Sequence, residues 1–291
     1  MSGQLYLLPC PISEAPALDA LPASTVETAR RIDHFLVEAA RTARATLKAM
    51  GHPKPIAELD IVEIGHDPAP ELISEWLQPV LDGADAAVLS ESGCPGVADP
   101  GAQIAARAHE LGICVVPLTG PSSILLTLMA SGLDGQRFRF SGYLPKHDAE
   151  RRAAILAAEK ASRASETQLF SETPYRNTAL LDALLETLAP DTRLTVAIDV
   201  TGQIESIRTL TAAAWKAIPK AMRTLPKLPT VFAFLAKPGN RAPRYAPECA
   251  GGKRAHTAPS SKPAVLNNRP KQAFKTHRPE GSPVKTLKGG R

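Results

Sequence analysis

The sequence has little of what a secreted, metal-binding or membrane-spanning chain needs. Its four cysteines, Cys10, Cys94, Cys114 and Cys249, are scattered with no CxxC pair, so neither a zinc site nor a disulfide framework is expected. His34, His52, His66, His109 and His147 show no ligand spacing either, and no metal is expected. No apolar run reaches the roughly 18 residues that a spanning helix needs. The N-terminal segment lacks a basic stretch followed by an apolar core, so no leader is expected. The G-x-G-x-x-G dinucleotide fingerprint is also missing. What these absences leave is a soluble, cytoplasmic enzyme of bacterial type, with no membrane partner.

Positive charge is scarce in the part of the chain that has the pattern of a folded body. The whole chain of 291 residues carries +5. Residues 238–291 hold twelve Lys/Arg against Glu248 and Glu280, a net +10, which leaves −5 on residues 1–237. The high isoelectric point therefore says nothing about whether the body binds nucleic acid. The same 238–291 segment has eight prolines and only a few isolated large apolar residues, such as Tyr245, Val265, Leu266 and Phe274. That content cannot offset chain entropy, and a disordered basic Pro-rich tail is expected there. Whether it is an arm for nucleic acid or a tail with no role is left open.

What is present is an alternation of strands and helices. Strands are expected at 4–8, 61–64, 86–89 and 113–118, and 32–37 is a further apolar run. Helices are expected from about 24 to 31, at 41–50 closed by Gly51, at 71–81, and from 100 to 111 stopped by Gly112. This pattern predicts a parallel-rich sheet with helices on its faces. A second unit begins at Thr119 and adds strands at 138–142, 167–170, 194–200 and 230–235. The fold class is α/β: two α/β domains, 1–118 and 119–237, with a ligand cleft between them, followed by the tail.

The stretch from Val88 to Gly101 organises the rest. A buried strand ends in Ser90-Glu91-Ser92-Gly93-Cys94-Pro95-Gly96-Val97-Ala98, small and turn-forming residues that let backbone approach a ligand closely. Asp99 can then cap a helix whose first turn suits Pro100. Open α/β sheets place ligands at such strand ends.

Four motifs, each after an expected strand, carry a resemblance. They are Pro9-Cys10-Pro11-Ile12-Ser13-Glu14, the loop Ser90–Pro95 with Ala98-Asp99-Pro100-Gly101, Thr119-Gly120-Pro121-Ser122-Ser123, and Glu172-Thr173-Pro174-Tyr175-Arg176. Together they resemble the tetrapyrrole methylase superfamily of S-adenosylmethionine-dependent methyltransferases. The nearest branch methylates a cytidine ribose 2′-oxygen in small-subunit ribosomal RNA. The resemblance covers roughly residues 3–235 and implies the tetrapyrrole methylase fold, a homodimer, and S-adenosyl-L-methionine held between the domains. Carried over by position, the donor site falls on Pro9, Glu91, Gly93, Val97, Ala98, Ser122, Ser123, Phe170, Ser171, Ile198 and Thr230. The chain departs from that branch at Glu38-Ala39-Ala40-Arg41, where the branch has Glu-Asp-Thr-Arg, at Ser13 for glycine, and at Glu91 for aspartate.

Transfer from a sulfonium needs alignment and exclusion of water more than metal or thiolate chemistry. A ribose hydroxyl benefits from a nearby base. Glu38, Glu91, Glu172 and Asp199 are the carboxylates at expected loops; Glu172 and Glu38 are named as catalytic, Glu172 first because it lies at a strand end between two of the motifs. Arg41, Arg44 and Arg176 are the candidates to hold substrate phosphates, a solvated helix face being the alternative for Arg41 and Arg44. RNA is thus the expected partner. A small-molecule acceptor such as a tetrapyrrole, or donor binding without catalysis, remains open at this point.

Overall fold

The computed structural model describes residues 2–14, 16–65 and 67–237. The tail expected at 238–291, and His66, lie outside the described residues.

The first half is built on β1 (Gln4–Leu8), β2 (His34–Val37), β3 (Asp60–Glu63), β4 (Ala86–Leu89) and β5 (Cys114–Pro117). Their order is β3-β2-β4-β1-β5, and every pairing is parallel. Strands buried on both faces should read as continuous apolar runs, and β2 (HFLV) and β4 (AAVL) do, with all eight residues buried. Alternation divides their side chains between two cores. Phe35, Val37, Ala87 and Leu89 face one, with Leu47 and Met50; Leu36, Ala86 and Val88 face the other, with Ile73, Val80 and Ile104. The helices on the first face are α1 (Ala17–Ala20), α2 (Ala23–Ala29) and α3 (Ala40–Ala49). Those on the second are α4 (Pro70–Trp76), α5 (Gln78–Leu81) and α6 (Gly101–Glu110).

Two helices differ from expectation, both because of proline. The single helix expected over 71–81 is broken at Leu77, since Pro79 in the first turn of α5 lacks the N–H that would continue α4. The helix expected from about residue 24 is preceded by the separate short α1, and Pro22 immediately precedes α2.

The second half has β6 (Phe138–Tyr143), β7 (Thr167–Glu172), β8 (Arg193–Ile198), β9 (Ser206–Thr211) and β10 (Thr230–Leu235), in the order β6-β7-β10-β8-β9. Only β6 and β7 are parallel; the remaining pairings are antiparallel. Residues 199–205 connect β8 to β9, too short a link for a parallel crossover. Strand β9 was not expected, because Ile207 and Leu210 are only half-buried on an edge and do not make an apolar run. Central β10 is buried throughout. Helix α7 (Ser123–Ser131) covers one face of the sheet over Leu169, Val231 and Ala233. The other face is covered by α8 (Asp148–Ser162), α9 (Asn177–Thr187) and α10 (Ala212–Ala217). There Phe170 stacks on Phe234 at 5.7 Å. Burying each such ring contributes roughly 1.5–3 kcal/mol.

Candidate functional site

The strand order brings the motifs together. The carboxyl ends of β2, β4, β1 and β5 lie side by side, and they carry Glu38, the loop 90–100, the turn 9–14 and the turn 118–122. Backbone zips them to one another. Cys10 and Gly93 exchange two N–H···O bonds of 2.8 and 3.2 Å, the Cys10 thiol donates to the Ser90 carbonyl at 3.0 Å, and the Cys94 thiol donates to the Pro121 carbonyl at 3.4 Å. Glu38 Oε2 accepts the Glu91 N–H at 3.1 Å, so this carboxylate ties the end of β2 to the start of the central loop. Asp99 Oδ1 accepts from Gly96 N–H at 2.6 Å and from Gly101 N–H at 2.8 Å, which closes the loop onto the start of α6.

Close approach explains the glycine at 120. A Cβ there would lie 2.2 Å from Pro9 Cβ. Gly93 has φ +77°, a conformation that costs glycine little. Ala98 adopts the left-handed region without that freedom, at φ 65°, and is an uncommon case for a residue with a side chain.

In the second half, antiparallel pairing sets Thr230 beside both Glu172 and Ile198, so the end of β7, the start of β10 and the end of β8 form one rim. Asn177 anchors the approach to β10, its Nδ2 donating to the Leu228 carbonyl at 2.8 Å and to Thr230 Oγ1 at 2.9 Å. Glu172 is buried; its Oε1 accepts from Thr173 N–H at 2.7 Å. Its Oε2 lies 3.1 Å from Arg176 Nη2, an ion pair by distance, yet neither atom makes a hydrogen bond because the guanidinium N–H is not directed at the oxygen.

Two adjoining cavities lie among these turns. One, of about 290 Å³, is lined by Ser123, Ser171, Glu172, Thr230 and Val231, among others. The second, of about 470 Å³, is lined by Glu14, Glu91, Asp199, Ile204 and Leu228, among others. Both include Ile12, Ser92 and Pro229, so they adjoin. Ligand sites are mostly apolar concavities of roughly 300–1,000 Å³ with a few polar groups, and this pair falls in that range.

The expected site residues therefore separate. Ser123, Ser171, Glu172 and Thr230 share the smaller cavity, and Glu91 lines the larger. Pro9 and Gly93 shape the walls through backbone contact. Phe170 and Ile198 have their side chains in the core beneath the rim. Ser122 immediately precedes α7, and Val97 and Ala98 are exposed on the outer part of the loop; none of these three lines either cavity. Arg41 and Arg44 are exposed on α3 and line neither cavity, while Arg176 sits against Glu172. Residues that sequence reasoning missed are Ile12, Ser92, Thr173, Leu228 and Pro229. The last two lie in a stretch with no motif, and only the pairing of β10 reveals their place.

The chemistry of the lining suits a cation with an apolar body. Glu14, Glu91 and Asp199 place carboxylates around the larger cavity, while Ile12, Ala197 and Val231 provide apolar surface in the smaller. Thiolate chemistry is disfavoured: burial pushes the Cys10 thiol up to about 12, and burial, then the Asp99 charge, raise that of Cys94. Among the described residues no group of three or more His, Cys, Asp or Glu is arranged to hold a metal ion, and no helix is long and apolar enough to cross a membrane.

Comparison with known proteins supplies further findings. Residues 17–215 match the model of a family described as Tetrapyrrole (Corrin/Porphyrin) Methylases. The chain is 30% identical over 205 residues to a protein of Vibrio cholerae serotype O1 named Ribosomal RNA small subunit methyltransferase I, a match spanning 70% of this chain and 67% of the relative. A protein of Bacillus subtilis with the same name is 30% identical over 203 residues, spanning 70% of this chain and 65% of the relative. The chain thus spans about two thirds of the length of these relatives. A crystal structure of diphthine synthase superposes with a TM-score of 0.57 at 17% identity, covering 80% of this chain and 90% of that one. A crystal structure of the methyltransferase CobJ does so with a TM-score of 0.54 at 16% identity, covering 81% and 95%. At such identities these two likenesses speak for the fold alone.

Proposed function

The chain belongs to the tetrapyrrole (corrin/porphyrin) methylase family, and from that premise we propose that it is an S-adenosylmethionine-dependent methyltransferase acting on RNA. The acceptor on this reading is small-subunit ribosomal RNA, which the names of its relatives print, and within it the ribose 2′-oxygen of a cytidine. The observation that carries the proposal is the meeting of four separated motifs around one pair of adjoining cavities. Residues 1–118 and 119–237 act as the two domains, and the donor lies between them.

Ser123 and Ser171 offer hydroxyls to the donor beside the buried Thr230, while Glu91, Glu14 and Asp199 match its positive charges. When bound, S-adenosylmethionine supplies an activated methyl group on a sulfonium. Glu172 then has two features suited to a base: it lines the smaller cavity and its Oε2 makes no hydrogen bond. It takes the proton of the acceptor hydroxyl, and Arg176 beside it balances the charge. Glu38 acts one step removed, holding Glu91. Arg41 and Arg44, exposed on α3, are assigned to RNA phosphates, a role that leaves donor binding to other residues.

The protein works on this reading as a cytoplasmic homodimer. Support for a second copy comes from α7, whose outer face exposes Leu125 (50%) and Met129 (77%) next to an apolar groove that includes Leu126, Val200 and Ile207. Contiguous exposed apolar surface of this kind marks contact sites.

The test is transfer of a tritiated methyl group from the donor to cell RNA, cell protein and small-molecule extract in separate reactions. Label is expected in RNA, and Glu172→Gln should lower the rate by about 10²–10⁴-fold with donor affinity retained. Label confined to the small-molecule fraction would replace RNA with a tetrapyrrole-like acceptor, and donor binding with no transfer would leave a non-catalytic protein.

A further inference from the structure

Two exposed aromatic residues, one lining the smaller cavity and one next in sequence to a lining residue, are not used by the chemistry above. Tyr175 directly follows Pro174, a lining residue, and is 82% exposed. Tyr143 lines the same cavity, is 63% exposed, and is paired across the sheet with Ser171. Large aromatic side chains are commonly buried wholly or in part, and exposed ones near a cavity are the informative case. Lys227 sets its ammonium 5.2 Å from the centre of the Tyr175 ring. That cation occupies one face of the ring, and the extent of exposure leaves the opposite face to solvent. An aromatic face beside a cation is the arrangement on which unpaired nucleobases stack while the neighbouring phosphate is neutralised.

We propose that Tyr175, backed by Lys227, is a stacking platform for an unpaired nucleobase next to the acceptor nucleotide. The role deepens the RNA reading and rests on it. The core of the site is acidic, with Glu14, Glu91 and Asp199 around the larger cavity, and repels a phosphate backbone. A π-face does not share that disadvantage, because stacking gains its energy from the base itself. It also fits substrate choice. A base must be out of its duplex to stack, so the platform selects single-stranded or bulged RNA over paired RNA.

The experiment uses the full chain and a short single-stranded RNA that carries 2-aminopurine, whose fluorescence is quenched by stacking. The wild type should bind and quench. Tyr175→Ala should weaken binding by about 5- to 150-fold, the range for one base–aromatic stack, and raise the KM for RNA while the KM for the donor stays fixed. Tyr175→Phe, which keeps the ring, should restore both quenching and affinity. The melting temperature should not move, because the side chain is exposed. A Tyr175→Ala protein that binds and quenches like the wild type would overturn the platform and leave the RNA reading standing. A phenylalanine variant as impaired as alanine would overturn stacking in favour of the hydroxyl. A wild type that binds no RNA at low salt but binds a porphyrin would overturn both readings.

Discussion

Ser13 and Thr201 lie 188 positions apart, yet the Ser13 hydroxyl is 3.1 Å from both the carbonyl oxygen and Oγ1 of Thr201. The contact joins the turn after β1 to the loop after β8, across the wall of the larger cavity. Thr201 is itself in the left-handed region at φ 65°, and Asp199 at φ 48°, uncommon conformations held by surrounding contacts. Asp199 Oδ2 accepts the Ile204 N–H and Glu205 Oε2 the Thr201 N–H. Ser13→Gly removes a hydroxyl bond with a net value of about 1 kcal/mol. Amide exchange in residues 199–205 should then quicken about fivefold, with little change in global stability. Unchanged exchange in that loop would remove Ser13 as its tether.

Gly120→Ala should be disproportionately damaging for so small a change. The new methyl would overlap Pro9 at 2.2 Å from Cβ and 2.6 Å from Cγ, and overpacking of this kind costs about 1–3 kcal/mol. Thermal denaturation should show the loss, and calorimetry should show weakened donor binding as the turn is displaced. Gly135→Ala is the matched control, since its added Cβ meets nothing within 4 Å.

Donor binding can be blocked from the helix that enters the cavity. Ser123 lines it, whereas Ser122 precedes the helix and does not. Ser123→Trp should abolish the calorimetric signal of S-adenosylmethionine by filling the 290 Å³ space, and Ser122→Trp should reduce it less. Equal effects would show that the cavity is entered by another route.

The cysteines should differ in reactivity in a definite order. Cys114 is exposed, Cys94 is half-buried and its thiol raised by burial and then by Asp99, and Cys10 is buried and pushed up to about 12. The thiolate is the reactive form, so at pH 8 iodoacetamide should label Cys114 first, Cys94 slowly and Cys10 hardly at all. The sign for stability follows from the same shift. A thiol raised above its unfolded value of 9.0 favours the folded state below pH 9, and that contribution is lost as pH climbs toward 12. Cys10→Ala should flatten the alkaline fall in melting temperature relative to wild type. An unchanged slope would mean that Cys10 titrates alike in the folded and the unfolded chain.

The sequence reading was strongest where local chemistry and tertiary structure agree. The apolar run at 86–89 is a central strand because both of its faces are covered, and the glycine- and proline-rich loop after it could be placed without coordinates. It was weakest where packing decides. Pro79 breaks a helix that periodicity alone would continue. Strand β9 has too little apolar content to announce itself, and exists because it pairs with β8. Within the site, Phe170 and Ile198 stand at motif-derived positions with their side chains in the core, an orientation that motif positions do not carry. Leu228 and Pro229 were unreadable for the opposite reason: they reach the cavity through the register of β10.

The position of β1 has a consequence for biosynthesis. In the first sheet this earliest strand is not at an edge but between β4 and β5, so both of its neighbours are made after it. A ribosome must deliver residues up to Pro117 before Gln4–Leu8 gains its second partner. Domains tend to fold as units during synthesis, and this one has no partial sheet containing β1 until β4 has emerged. Nascent chains arrested before residue 86 should accordingly be protease-sensitive, while arrest some way past 118 should yield a protected N-terminal fragment.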